Sequence, residues 1–128
     1  MMADKNYIPL KDLEVYQLSR ELSRICWRIY SKLNFQQKKT VGDQFITSAD
    51  SVGANIAEGY ARFHYLDKIR FYYISRGSLS EAVNHWSEIM LERDFISPNE
   101  FDEVKIIHQK LEVKLNNFIS STFKSKHK

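Results

Sequence analysis

The sequence predicts an all-α protein, a single-domain antiparallel up-down-up-down four-helix bundle, and three observations carry that prediction. Four Gly and two Pro in 128 residues are too few for the frequent turns of a strand-rich sandwich or barrel. Apolar residues recur at three-and-four spacing through four separate stretches, which sets them on one face of a helix. The stretches have matched lengths, roughly 30 Å at about 1.5 Å per residue, and short segments join them, the pattern of an up-and-down bundle. A chain of this size forms one domain around one core. The expected division is an N-terminal extension (1–11), the bundle (12–123) and a basic tail (124–128).

The first helix is expected from Asp12, as N-cap, to about Lys32. Val15, Leu18, Leu22, Ile25 and Ile29 form its seam, with Cys26 and Leu33 alongside. Asn34 to Lys39 reads as a polar loop. Thr40, followed three positions later by Asp43, marks a helix start related to the capping box, and the second helix then covers Val41 to about Arg62. Its seam is Phe45, Ala49, Val52, Ile56 and Gly59, continued by Phe63. A glycine inside a helix costs about 1 kcal/mol relative to alanine, so Gly53 and Gly59 point to the close approach of a neighbouring helix. His64 and Tyr65 break the pattern. The third helix, roughly Leu66 to Arg93, carries Ile69, Tyr72, Leu79, Val83, Trp86 and Met90 on one face, with Arg76 in the same seam. Ser97-Pro98-Asn99-Glu100 is the clearest start signal, a cap, a first-turn proline and a box-closing carboxylate. Helix four follows with Phe101, Val104, His108, Leu111, Leu115 and Phe118, and the tail Lys124 to Lys128 is expected to fray.

The hydrophobic fraction of 43% and charged fraction of 27% belong to a soluble globular chain. The N-terminus lacks the apolar core of a secretory signal, no apolar run is long enough to span a bilayer, and the one cysteine, Cys26, has no internal partner. These features predict a cytoplasmic protein with no membrane association. Net charge +3 is mildly basic and compatible with an anionic partner. A di-iron bundle would need Glu-x-x-His pairs, yet the positions three before the histidines are Ala61, Ala82, Lys105 and Lys124. Glu81 with His85, one turn apart, is the nearest substitute and reads as a surface pair. Cys26, beside the seam of helix one, reads as a small buried hydrophobe, and His108, in the seam of helix four, as a hydrogen-bonded core or interface histidine. The sequence therefore predicts no catalytic residue, no metal and no cofactor, and a protein that is not an enzyme.

Two polar groupings remain. Asn55, Glu58 and Arg62 share a face of helix two, and a charge at Arg76 in a seam needs an acid nearby; Asn55, Glu58, Arg76, Ser78 and Glu81 are thus expected to form a structural cluster between helices two and three. On helix one, Arg20, Arg24, Arg28 and Lys32 follow one another at four-residue spacing with Trp27 beside them. Such a stripe offers phosphate contacts and a stacking ring for nucleic acid, or a plain solvated face. Trp27 is expected in a subunit contact.

Ser51 to Arg62, with its Asn-Ile-Ala-Glu-Gly core, and Arg70 to Glu81, with Arg-Gly-Ser-Leu-x-Glu, resemble the bacterial four-helix-bundle family named for the 23S rRNA intervening-sequence proteins. Leu13-Glu-Val-Tyr-Gln is similar to that family's helix-one start, and the likeness runs from about Leu10 to Phe118. The resemblance implies a homopentamer of antiparallel bundles without catalytic residues. It also extends to the accessory variability determinant of diversity-generating retroelements, which associates with a reverse transcriptase and binds nucleic acid through basic surface. Relatives often carry arginines just before the Asn-Ile-Ala-Glu-Gly core, where this chain has the uncharged Phe45 to Ala49. Two functions are in view: an RNA- or DNA-binding accessory protein, and a protein-interaction scaffold without nucleic-acid affinity.

Overall fold

The computed structural model describes residues 7–125, and its buried side chains follow the four apolar stripes. A 3-10 turn, Leu10–Asp12, leads into α1, Glu14–Ser31. Helix α2 runs without a break through Phe35–Gln37, the π-helical Lys38–Gly42 and Asp43–Tyr60. Helix α3 likewise comprises Tyr65–Ser80, the π-helical Glu81–Trp86 and Ser87–Glu92, and α4 spans Pro98–Lys124. Four helical rods result, with no strand among the described residues. Helix α1 packs on α2 and α4, and α3 packs on the same two.

One core fills the space between them. Leu22, Cys26 and Ile29 meet Phe45, Val52 and Ile56, then Tyr72, Leu79 and Met90, and Val104, Leu111 and Leu115. The tightest seam lies between α2 and α3. Ser75 Oγ donates a buried 2.8 Å bond to the Val52 carbonyl, and a Cβ on Gly59 would stand 2.7 Å from Tyr72 Cε1 and 3.0 Å from the Lys68 carbonyl oxygen. The close approach expected at Gly59 is present. Tyr72 also packs on Phe118 of α4, ring centres 4.9 Å apart.

Several local expectations are corrected. Asp12 is not the N-cap of α1; it closes the 3-10 turn, and the helix begins after Leu13 with no side-chain cap. Asn34 to Lys39 is not a loop. Asn34 caps α2 by accepting from the Gln37 amide at 2.8 Å, while the Gln37 side chain accepts from the Asn34 amide at 3.0 Å. Thr40 lies inside the π segment and its hydroxyl bonds back to the Gln36 carbonyl. Phe63, expected to continue the seam, is fully exposed, and Trp86 is only half-buried. Arg76 is outside the seam, its place taken by the buried Ser75. The predicted capping box of α4 is formed, Ser97 with Glu100. Helix α3 ends where Asp94 turns left-handed, φ 59°, a conformation that Asp tolerates better than most residues. The expected tail falls partly outside the described residues; Lys124 is still helical.

Candidate nucleic-acid interface

The four-residue spacing on α1 does bring the basic residues to one exposed side, but their electrostatic surroundings divide them. Arg28 is ion-paired with Glu103 of α4, and Lys32 Nζ lies 3.7 Å from Glu100 Oε2. Those two charges are largely balanced by their neighbours. Arg20 instead donates to the Tyr16 hydroxyl at 3.1 Å, its guanidinium 5.8 Å from that ring's centre. Neither Arg20 nor Arg24 has an ion-pair partner among the described residues.

Arg20 and Arg24 line a shallow depression of about 250 Å³ with Lys11, Tyr16 and Gln17. Three cations and a phenol surround it, and none of the lining residues is an acid. Lys11 arrives through the 3-10 turn, which the Gln17 side chain holds by donating to the Lys11 carbonyl at 3.1 Å. Periodicity within a helix could not have found Lys11, because it precedes the helix. Trp27 is 57% exposed and stacks on Tyr30 at 5.5 Å. The uncharged stretch Phe45 to Ala49 lies on α2, where Phe45, Ile46, Ser48 and Ala49 are buried.

The polar cluster expected between helices two and three is not assembled. Glu58 pairs with Arg62 at 2.7 Å on the exposed side of α2. Asn55 donates to the Ser51 carbonyl of its own helix, and Arg76 reaches Asn116 of α4 at 3.0 Å while lying over Tyr73. Glu81 accepts from the Trp86 indole at 2.8 Å, and Ser78 is half-buried. The physical reason is the position of Arg76: an arginine that reaches solvent needs no buried acid. His85 stands edge-on to the same Trp86 indole, ring centres 4.4 Å apart. No group of three metal-ligating side chains occurs among the described residues.

Cys26 is fully buried, and desolvation pushes its thiol well above the usual range, with Asp50 and Glu103 adding to the shift. That disfavours a thiolate, the form that acts as nucleophile. His108 is buried as expected, but the hydrogen bond expected of it is not formed: among the described residues neither ring nitrogen has a hydrogen-bond partner, and Nε2 sits 3.3 Å from Glu112 Oε2. No helix among the described residues is long and apolar enough to cross a membrane.

No curated protein matches the sequence significantly. Among solved structures, a protein of unknown function from the S23 ribosomal protein family of Bacteroides thetaiotaomicron has the same fold, with a TM-score of 0.75 at 22% identity over 82% of this chain and 97% of that one. The family model described as 23S rRNA-intervening sequence protein matches residues 11–117. Because that match runs from the basic 3-10 turn into the last helix and takes in both sequence motifs, the chain belongs to the 23S rRNA-intervening sequence protein family.

Proposed function

We propose that this chain is a non-catalytic, oligomeric accessory protein that binds RNA, or DNA, through the surface around Lys11, Arg20 and Arg24. The observation that carries the reading is the acid-free depression these residues share with Tyr16. Guanidinium and ammonium groups contact phosphates, and an aromatic ring beside them accepts a stacked base. Arg28 and Lys32 are peripheral in this reading, since Glu103 and Glu100 already engage them. A homopentamer of antiparallel up-down-up-down bundles would carry five times the formal +3, and repeated display raises avidity without strong single contacts. The short connections between rods support the up-down order, and the lone buried thiol suits a cytoplasmic location.

The second reading is a protein-interaction scaffold, with a reverse transcriptase as one form of partner. The exposed Trp27, Phe63 and Tyr73 favour it, because large exposed apolar groups mark interaction surfaces. Fluorescence anisotropy with a labelled single-stranded RNA separates the two. Arg20→Glu with Arg24→Glu should weaken binding at least about tenfold, the equivalent of roughly 1.4 kcal/mol, and Arg28→Glu with Lys32→Glu should weaken it far less. No binding by the unaltered protein, or equal losses in the two variants, would overturn the assignment.

A further inference from the structure

We infer that the outer face of α3 in one copy docks into the groove between α1 and α4 of the next copy, head to tail. This rests on the reading that copies of the chain assemble, and names the surfaces that join them. The first observation is Gly77. It lies inside α3, and a Cβ there would meet nothing within 4 Å. A glycine in a helix interior is destabilising relative to alanine, and no contact within the chain requires its smallness. A neighbour approaching the backbone from outside does require it.

The second observation is the face on which Gly77 stands. Leu66, Tyr73 and Ile74 are each between 43% and 51% exposed, and Arg70 lies among them. The third is a face elsewhere on the same chain with the same character. Between α1 and α4 runs an open apolar groove of about 430 Å³, lined in part by Leu18 and Val113. Ile106, 56% exposed, continues it, and the ion pairs Glu14–Lys114 and Arg28–Glu103 bracket its ends. The apolar positions span comparable lengths, about 12 Å from Leu66 to Ile74 on the ridge and about 10 Å from Ile106 to Val113 along the groove.

Charge selects the occupant. The ridge carries Asp67 beside Leu66 and Arg70 at its centre; Lys110 of α4 lines the groove, and the exposed Glu21 of α1 lies one helical turn beyond Leu18. None of these four has an ion-pair partner among the described residues. A second copy offers Glu21 to Arg70 and Lys110 to Asp67, with apolar surface on either side. One contact therefore covers both unpartnered faces, and because the two faces differ, it repeats from copy to copy and closes into a ring when the rotation allows.

The test pairs solution mass with directed cross-linking. Light scattering of the unaltered protein should give a multiple of 15.2 kDa. Ile74→Cys and Val113→Cys in one chain should yield a ladder of disulfide-linked copies under mild oxidation, and either variant alone should yield none; the buried Cys26 stays out of this chemistry. Gly77→Leu should lower the mass to a single copy while keeping full helicity, since leucine improves helix propensity and its Cβ meets nothing within 4 Å in its own chain. Arg70→Glu should also give single copies, and adding Glu21→Arg should restore the multiple. A multimeric protein with no ladder and no response to Gly77→Leu places the interface elsewhere and overturns this inference while leaving assembly standing. A protein that is monomeric at every concentration overturns both. A monomer whose Arg70→Glu variant loses RNA affinity instead assigns the ridge to nucleic acid and likewise overturns it.

Discussion

Gly59 and Tyr72 are in such close contact that no side chain fits between them: a Cβ on Gly59 would lie 2.7 Å from the Tyr72 ring. The ring is buried and packs on Phe118, and the Lys68 carbonyl oxygen would lie 3.0 Å from the same Cβ. Gly59→Ala should therefore destabilise the protein by about 1–3 kcal/mol through overpacking, despite the gain in helix propensity. Urea unfolding checks it; an unchanged or higher midpoint would show that α2 and α3 do not approach so closely.

Ser75 and Glu58 form an ordered pair of tests. Ser75→Ala removes a buried bond between helices to the Val52 carbonyl and should cost about 1 kcal/mol. Glu58→Ala breaks an exposed pair one turn apart on the same helix, worth about 0.3–0.5 kcal/mol. Thermal unfolding of the two variants should rank them in that order. The reverse ranking would restore a buried role for Glu58.

Burial holds the His108 imidazole below its ordinary value of 6.5, with Lys105 acting in the same direction and Glu112 opposing. The folded state therefore takes up a proton at this ring less readily than the unfolded chain, whose imidazole protonates as pH falls through about 6.5. Stability from this residue is thus complete above that pH and is lost progressively below it. The urea midpoint of the unaltered protein should fall more between pH 7.5 and 5.5 than that of His108→Leu. Equal falls would mean that His108 is not buried neutral.

Asn34 and Gln37 satisfy each other's backbone donors at the start of α2. Asn34→Ala should cost about 1 kcal/mol, whereas Thr40→Ala, within the helix, should be nearly neutral. Circular dichroism melts distinguish the two, and a larger loss at Thr40 would return the helix start to that residue.

These positions also explain what the sequence makes legible. The four helices and the boundary at Ser97 are readable because their apolar spacing and capping signals agree. The start of α2 is not, because the π-helical Lys38–Gly42 carries an i to i+5 turn that interrupts the period used to extend the helix backwards. A second π segment, Glu81–Trp86, likewise displaces Trp86 from the seam that spacing assigns it. Arg76 is misplaced by spacing because Ser75 and Arg76 lie three and four residues after Tyr72, and both intervals suit a helix face. Of the candidate interface, Arg20 and Arg24 are legible from spacing alone. The balancing of Arg28 and Lys32 is not, since Glu103 and Glu100 stand on another helix, far away in sequence.

The salt dependence of RNA binding is the decisive measurement for the proposed surface. With Lys11, Arg20 and Arg24 touching phosphates, the logarithm of affinity should fall steadily with the logarithm of salt concentration. Replacing all three by glutamine should flatten that slope by about 2, at roughly 0.7 for each phosphate no longer neutralised on a single strand. A slope that stays the same in the triple variant, or an affinity indifferent to salt from the outset, would be incompatible with phosphate recognition by these three residues.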